Sequence, residues 1–531
     1  MRLHQFIAGV LVVTSLYAYA PAQDEVSTEE KREEGVAKDE REEAAREEAG
    51  TPEKDEQSVP LKSTNIDMQL VYGLYNNMLS SISLSREQRN SAFLLNSNFT
   101  RSNDFGYNRR VYENTGFYNM KIGGTASVNT TETGKLLSEI EVNNDSRGMY
   151  KNPVYSREDK DEAKLRARYL SKLTSEFEGY VLLGGALYKH RLHAVLPIDR
   201  ESSSLGHGVA EMGGEYIFSG SNRIRGKING GYYVYYHNAR AINEHRFRTD
   251  DPVQNACLYT YLGSAPDDLY MSAEIIDDFN LTKNFGVSLG IGFDMNRDDM
   301  KWRYPAPIAG LTLKGLKYLS AALQYRFDLR PFAPEEFYLQ QKYIMPAYDL
   351  PPGRVHRGEG RLELKLNETL NVRCGLLVER NNRFYNYRPV YGDVLSAETL
   401  AVTRYSPRLD AVLSLYKSLL EITIGYEYNR FDASQRITYT PQHEATGSVK
   451  YNGRTWKIEW ANRYAYKIFT DPDDGNTLSP ALLGSFGIQR QMLEGFYAYF
   501  RIENLYNTRY TLREAYPEPG VTFLGGLRIL I

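Results

Sequence analysis

The 531-residue sequence has few cysteines and, after its first 22 residues, no long apolar run. Its two cysteines, Cys257 and Cys374, are far apart and lack the spacing of metal ligands, which excludes a disulfide-rich domain and a cysteine-based zinc site. We predict two free thiols, and a single disulfide between them remains the alternative. A membrane-spanning helix needs about 20 apolar residues, so the sequence after residue 22 predicts no such helix.

The amino-terminal residues have the three parts of a secretory signal peptide. Arg2 supplies positive charge, residues 6–16 are mostly apolar, and Ala20-Pro21-Ala22 offers small residues for cleavage. We predict a signal peptide over residues 1–22, cleaved after Ala22, because cleavage after Ala20 would leave a proline directly behind the cut. The alternative, a membrane helix, requires a longer apolar run. Since no cysteine lies nearby, a lipid anchor is excluded.

Residues 23–60 are dominated by charge. Within residues 24–56 there are 15 acidic and 6 basic side chains, a net charge of −9, whereas the whole chain carries −3. This stretch has no apolar stripe to bury, which predicts a disordered acidic linker or a solvated single helix. A spacer is the simpler interpretation. The alternative is a segment that interacts through charge with a basic partner or with the more basic remainder of the chain.

From Ile66 onward, apolar and polar residues alternate with the two-residue period of β-strands. The clearest examples are residues 224–237, 284–295 and 420–429, in which the second face carries glycine and polar residues, with Tyr233 and Tyr235 among them in the first segment. These predicted strands are longer than the usual strands of soluble sandwiches. Tyrosine is also abundant, at 42 residues, and tyrosine rings are typical of the interfacial girdles of membrane barrels.

The chain ends in a strand-like segment without a polar tail, residues 521–531. From Val521 to Ile531, every second residue except Gly525 is apolar, while Thr522, Gly526 and Arg528 lie on the other face. A soluble protein with such an exposed terminal strand would tend to aggregate. In an outer-membrane barrel, the same strand pairs with the first strand and turns its apolar face to lipid.

The connections between the predicted strands alternate between short and long. Tight turns are predicted at Phe177-Glu178-Gly179, residues 219–222, residues 282–284, residues 314–317, residues 367–369, residues 416–418 and Asn452-Gly453. Longer segments are predicted at residues 239–267, 329–355, 383–403, 470–481 and 507–520. Short turns at one rim and long loops at the other are typical of outer-membrane barrels.

The fold class that follows is all-β. We predict a transmembrane antiparallel β-barrel of about 20–22 strands over residues 61–531. An even total of 20 or 22 is the expectation, because single-chain bacterial barrels have even strand numbers. The signal peptide (1–22) and the disordered acidic linker (23–60) precede it.

Two segments resemble the TonB-dependent receptors. Tyr439-Thr440-Pro441-Gln442-His443 is similar to the Y-T-P-x-H segment that leads into their late strands. Residues 500–510 and 516–527 resemble their closing pattern, in which E-N-L and an aromatic residue precede a tyrosine and then P-x-P-G. Val521 stands where the family has arginine, and Ile531 stands where it has the terminal phenylalanine that the barrel-insertion machinery recognises. The resemblance covers about the last ninety residues and implies an outer-membrane receptor barrel.

The region before the barrel differs from that family. Its members carry a globular plug domain there, preceded by a segment that binds an energy-coupling protein. In this sequence about forty residues, rich in charge, separate Gln23 from Ile66. We expect these residues to form no plug, so the resemblance does not carry energised import to this chain.

The sequence predicts no catalytic residues, no cofactor-binding residues and no metal ligands, and we expect no enzyme and no cofactor. Residues 471–476 and 294–299 match a calcium loop only in part. His190 and His193 are three residues apart in a predicted strand, so they point to opposite faces. Inward charges are predicted to line a wet lumen in compensating pairs, among them Arg225, Lys227, Glu421, Glu427, Arg501 and Glu503.

The predicted function is transport or a channel-like activity in the outer membrane of a Gram-negative-type bacterium. The alternative is a structural or docking scaffold for periplasmic or surface partners. Expected partners are outer-membrane lipid, the barrel-insertion machinery and a separate plug-like or periplasmic protein, and we predict no nucleic-acid partner. A barrel of this size has a wide lumen, which inward-folded loops, the acidic segment or a plug-like partner would have to restrict.

Overall fold

The computed structural model describes most of residues 63–531. The residues that it leaves out of this range are 75–76, 89, 104–105, 108–109, 112–114, 150–154, 195–199, 220–221, 239–267, 297–304, 315, 317, 331–352, 368, 390–394 and 514–515. The predicted signal peptide and acidic linker, and Cys257, lie outside the described residues. Cys374 is described, and its thiol is free.

The described residues form 27 strands. They are β1 (Ser63–Gly73), β2 (Met78–Gln88), β3 (Ser91–Ser102), β4 (Gly106–Tyr107), β5 (Arg110–Val111), β6 (Phe117–Asn129), β7 (Gly134–Gly148), β8 (Tyr155–Lys172), β9 (Phe177–Ala194), β10 (Arg200–Ser219), β11 (Asn222–Asn238), β12 (Asp268–Asn280), β13 (Phe285–Asn296), β14 (Ala306–Leu313), β15 (Leu319–Arg330), β16 (Gly353–Lys365), β17 (Leu370–Pro389), β18 (Leu395–Leu415), β19 (Leu420–Tyr428), β20 (Arg430–Ala433), β21 (His443–Asn452), β22 (Trp456–Tyr466), β23 (Ala481–Leu493), β24 (Phe496–Glu503), β25 (Thr511–Arg513), β26 (Tyr516–Pro517) and β27 (Thr522–Leu530). Among the described residues, no helix has the length and apolar composition needed to cross a membrane.

The strands form a closed antiparallel barrel. Each wall strand pairs with the next wall strand along the chain, and β27 pairs with β1 to close the cylinder. The two short hairpins, β4–β5 and β25–β26, form separate sheets. β19 and β20 both pair with β18 and are separated by Asn429 alone, so they share one position in the wall. The described wall therefore has 22 strands, which confirms the predicted all-β barrel.

The two rims of the barrel differ in the length of their connections. At the short-turn rim, consecutive wall strands are joined by two to five residues, as at 281–284 and 494–495. The long-loop rim carries the longer connections, including 434–442 and 467–480. The predicted long segment 239–267 and most of 329–355 lie outside the described residues.

Two of the predicted connections are wrong. The segment 383–403 is largely strand rather than loop, because β17 continues to Pro389 and β18 begins at Leu395. The turn predicted at Phe177-Glu178-Gly179 precedes Phe177 instead. There, the Thr174 hydroxyl accepts the backbone N–H of Phe177 at 3.0 Å, which ends the turn and starts β9.

The two faces of the wall have opposite chemistry, as the sequence predicts. The outer face exposes large apolar side chains such as Leu70, Ile275 and Leu527, each about half exposed. The inner face is polar: Asp67 and Arg528 alternate with those apolar residues along β1 and β27. An apolar exterior around a polar interior is the pattern of a transmembrane barrel.

The closing seam joins the first and last strands tightly. Ile66 and Ile531 exchange backbone hydrogen bonds of 2.8 and 2.9 Å. A Cβ on Gly526 would lie 2.1 Å from the carbonyl oxygen of Leu70, so only glycine allows this approach. On the inner face, Arg528 Nη2 pairs with Asp67 Oδ2 at 2.6 Å. The terminal strand predicted from its alternation is therefore the strand that closes the barrel.

Candidate functional site in the lumen

Ion pairs line the inner wall. Arg225 Nε lies 2.6 Å from Asp278 Oδ2, and Lys227 Nζ lies 3.5 Å from Glu274 Oε1. Further pairs join Glu427 to Arg404 and Arg501 to Glu503. These contacts confirm compensating pairs for five of the six predicted charges, whereas Glu421 forms no ion pair among the described residues. Most of these side chains are partly exposed, so the described wall presents a wet, charged surface.

The hairpin of β17 and β18 departs from the regular wall near the long-loop rim. Its register shifts between Asn381 and Phe384, which marks a β-bulge in β17. The Asn381 side chain accepts the backbone N–H of Arg383 at 2.9 Å and thereby holds the bulge. Since bulges bend the strand that contains them, the residues beyond can leave the cylinder. We call residues 384–389 and 395–400 the hairpin tip.

The hairpin tip packs against the opposite part of the inner wall. One apolar cluster contains residues of β9–β11 together with residues of β17 and β18; its buried members are Ala186, Tyr188, Leu205, Tyr233, Tyr387 and Leu395. We call it the lumen cluster. Strands β12–β16 separate the two contributing parts of the wall. Inner-face residues so far apart meet only if the hairpin tip reaches across the lumen.

An asparagine and a threonine fasten the hairpin tip. Asn386 and Thr438 are at most 1% exposed. Asn386 Oδ1 accepts the backbone N–H of Thr438 at 2.9 Å, and Asn386 Nδ2 donates to the carbonyl oxygen of Arg436 at 2.9 Å. The Thr438 hydroxyl donates to the carbonyl oxygen of Tyr387 at 2.6 Å. The connection 434–442 therefore holds the tip by hydrogen bonds that are shielded from water.

A second connection of the long-loop rim also contacts the tip. Arg388 Nη1 lies 2.7 Å from Asp473 Oδ2. Partial burial by itself would lower the pKa of Arg388, but the hydrogen bond to Asp473 and the charges of Glu398 and Asp473 raise it above the usual value. Asp471 accepts backbone N–H groups of its own loop, including that of Asp473 at 2.8 Å. The loop that resembles a calcium site in sequence thus uses these two carboxylates to shape itself and to bind the tip.

A buried charge cluster lies beside the lumen cluster on β8 and β9. Its members, Glu158, Lys160, Glu162 and His190, are all at most 5% exposed. Lys160 Nζ and His190 Nε2 each lie 3.1 Å from Glu158 Oε1. Glu162 pairs with Lys164 on the same inner face. Charges this deeply buried are rare unless they are paired.

This cluster lies beyond the lipid-facing band. On the outer face of β8 the apolar residues end at Ala163, and Asp161 and Asp159 follow toward the long-loop rim. Burial lowers the pKa of His190 below its ordinary value and outweighs the hydrogen bond that His190 donates to Glu158. Burial likewise lowers the pKa of Lys160, against the charges of Glu158 and Asp145. His190 therefore favours its neutral form.

The structure separates the two histidines that the sequence singled out. His190 faces the lumen and Glu158, whereas His193 Nε2 lies 2.7 Å from Asp159 Oδ2 on the outer face. Among the described residues, no group of three or more His, Cys, Asp or Glu side chains is arranged to hold a metal ion. The hairpin tip was missed because its aromatic residues were predicted to lie in a loop. The available signal was the β-propensity of Phe384, Tyr385 and Tyr387.

The barrel resembles solved outer-membrane transporters in fold. The FrpB iron transporter from Neisseria meningitidis aligns with a TM-score of 0.67 and 10% sequence identity, over 88% of this chain and 81% of that chain. The siderophore receptor PirA from Acinetobacter baumannii aligns with a TM-score of 0.66 and 9% identity, over 89% and 81%. The copper transporter OprC has a TM-score of 0.66 and 12% identity, again over 89% and 81%.

These structural neighbours are TonB-dependent receptors with 22-strand barrels. No protein-family model matches the sequence, and no curated protein matches it. At such low identity the similarity concerns the fold, and it agrees with the sequence resemblance near the carboxyl terminus.

Proposed function

We propose that the protein is a transport barrel of a Gram-negative-type outer membrane, with a lumen that the hairpin tip narrows. The apolar exterior and the ion-paired interior support the membrane location, with the short-turn rim toward the periplasm. The structural neighbours are described as iron and copper transporters and a siderophore receptor, which supports transport rather than catalysis.

The lumen cluster is the observation that carries this proposal. A barrel with 16 or more strands leaves an aqueous channel unless something fills it. Here Tyr387 and Leu395, from the hairpin tip, are buried against Tyr188 and Tyr233 of the opposite wall. A polar lumen crossed by a fastened hairpin has the layout of a restricted solute path. A pure scaffold would need neither the polar wall nor the crossing contact.

Conductance in planar lipid bilayers tests the proposal. Asn386→Ala removes the side-chain hydrogen bonds to Thr438 and Arg436, so we expect larger or more frequent open-channel currents than in the unmodified protein. The matched control is Asn504→Ala. Asn504 also makes several side-chain hydrogen bonds at the long-loop rim, to Thr508 and Pro519, but lies outside the lumen cluster. Equal currents for both variants would count against a constriction by the hairpin tip.

The alternative function is a docking scaffold. It would be favoured if the unmodified protein and Asn386→Ala were both electrically silent while a periplasmic or surface protein co-purified with the barrel. Transport would be favoured if currents appeared and changed on deletion of residues 24–60.

We further propose that the acidic residues 24–60 form a periplasmic segment. This segment would associate weakly, through charge, with a basic partner or with the more basic remainder of the chain. Its net charge is opposite in sign to that of the rest of the chain. Exposed charges are screened beyond about 8 Å at physiological ionic strength, so added salt should release the segment to proteases. Protection that persists at high salt would contradict an electrostatic association.

A further inference from the structure

The outer face of β16, β17 and β20 carries a patch of basic side chains near the long-loop rim. The patch consists of Arg354, His356, Arg380 and Arg430, all exposed. His356 is directly opposite Arg380 in the β16–β17 register. Arg430 is opposite Tyr405, which also points outward. We call this group the basic patch.

The arginines of the basic patch are not compensated. Within the part of the chain that the structure describes, Arg354, Arg380 and Arg430 form no ion pair with a carboxylate. The acid closest in register is Asp432, which is opposite Thr403, the neighbour of Arg380. The patch therefore contains three guanidinium groups against one carboxylate.

Outer-face charges elsewhere at this rim are arranged differently. On β8 and β9, Arg191 Nη2 lies 2.7 Å from Asp161 Oδ2, and Arg157 Nε lies 3.1 Å from Asp159 Oδ1. The same wall thus has a self-neutralised region and a region with excess positive charge. On β8 and β9, acidic partners neutralise the outer-face arginines near this rim. The arginines of the basic patch have no such partners in the described part of the chain, and this excess of positive charge points to an anionic ligand.

The basic patch lies at the edge of the lipid-facing band. Toward the short-turn rim, the same strands and their neighbours expose Leu323, Leu376 and Leu409, each about half exposed. Between these leucines and the upper arginines Arg354 and Arg380 are Tyr325, whose hydroxyl lies 2.9 Å from His356 Nδ1, and Tyr405, which is level with Arg430. Tyrosine at such a boundary is typical of the depth of lipid headgroups.

We propose that the basic patch binds the phosphate group of an anionic lipid headgroup in the leaflet at the long-loop rim. The planar guanidinium group donates two parallel hydrogen bonds to phosphate oxygens, and the leucines below would contact the acyl chains of the same molecule. This proposal rests on the membrane location given under Proposed function, but it does not depend on transport.

Lipid binding by matched double variants tests the proposal. Full-length protein in neutral detergent micelles is titrated with fluorescent phosphatidylglycerol, and phosphatidylcholine is the zwitterionic comparison. A basic residue near a charged lipid surface strengthens binding roughly fivefold. We therefore expect the change of Arg354→Gln together with Arg380→Gln to weaken phosphatidylglycerol binding by roughly 25-fold. Replacing both arginines by lysine keeps the charge and should retain most of the affinity.

The control is Arg157→Gln together with Arg191→Gln, which removes the same charge from the self-neutralised region. It should weaken phosphatidylglycerol binding far less, by roughly one- to fivefold, the range that exposed, paired charges contribute. Equal weakening in both double variants, or equal affinity of the unmodified protein for the two lipids, would overturn the proposal. Displacement of the lipid by an equal concentration of inorganic phosphate would also overturn it, by indicating a free-phosphate site.

Two further measurements keep this result separate from folding and transport. Heat-modifiable migration on a gel shows that each variant is a folded barrel. Bilayer currents that are unchanged in the Arg354→Gln and Arg380→Gln variant would show that loss of lipid binding is independent of transport.

Discussion

The buried charge cluster and the open inner wall use the same residue types in different surroundings. Glu158 is 1% exposed and holds Lys160 and His190. Glu359 holds Arg357 and Arg361 on the wall, where its side chain is 22% exposed and that of Arg361 is 72% exposed. Water can replace a lost partner on the open wall but not in the buried cluster. The cost of losing a charge therefore depends on burial more than on the number of ion pairs.

The largest effect is expected from Glu158→Ala. Removal of one partner from a buried ion pair leaves an uncompensated charge, which costs about 3–5 kcal/mol. We expect this loss in the free energy of unfolding, measured by urea denaturation in lipid vesicles through the fluorescence of Trp456 and Trp460. A loss smaller than that of an exposed pair would contradict the contrast between the two regions.

The next effect is expected from Leu395→Ala in the lumen cluster. Leu395 is 2% exposed, and a buried Leu→Ala change costs about 2–4 kcal/mol. We expect the substitution to lower the free energy of local opening of the hairpin tip rather than that of global unfolding. Faster amide hydrogen exchange of residues 395–400 would report this local opening. The control is Leu409→Ala in the same strand, whose side chain faces outward and is about half exposed. Equal exchange in the two variants would contradict the crossing contact.

The pH dependence of stability gives a smaller effect. Because burial holds the pKa of His190 below 6.5, the unfolded chain binds a proton at this residue before the folded barrel does. The stability contributed by neutral His190 is therefore complete above pH 6.5 and decreases as the pH falls toward the lower folded-state value. We expect His190→Gln to reduce the difference in urea midpoint between pH 7.5 and pH 5. An unchanged difference would contradict the assignment of this residue.

The smallest effect is expected from Glu359→Gln on the open wall. Exposed ion pairs contribute less than about 1 kcal/mol, so the urea midpoint should hardly change, and added salt should remove the remaining difference. If Glu359→Gln lowered the free energy of unfolding as much as Glu158→Ala, water would be excluded from the open wall as it is from the buried cluster. That result would contradict the difference between the two regions.

Much of the barrel wall was predictable from the sequence. The alternation along residues 224–237 and 420–429 identified which side chains face outward, and the structure places Ile228 and Ile424 there, each about half or more exposed. The terminal strand followed from the same pattern, and the even strand number was expected because single-chain bacterial barrels have even numbers of strands. These features are local, because the pleat of a β-strand sends successive side chains to opposite faces wherever the strand lies.

The candidate site was predictable only in part. Inward charges such as Arg225 and Glu427 were expected to be compensated, and they are, but the sequence did not indicate which pairs are buried. The hairpin tip was predicted as a loop, because residues 383–403 lie between two obvious strands and contain several polar residues. A two-residue period cannot show whether a strand stays in the wall or bends inward.

The two-residue period that each strand carries alone was enough to predict a membrane barrel with a polar lumen. Contacts between distant segments bury Tyr387 in the same cluster as Tyr188. The closed barrel also shelters Glu158 from water, whereas Glu359 stays partly exposed. The lumen cluster joins residues about 200 positions apart, across a lumen whose width depends on all 22 strands together. Burial is a property of the closed cylinder, so no single segment of the sequence records it.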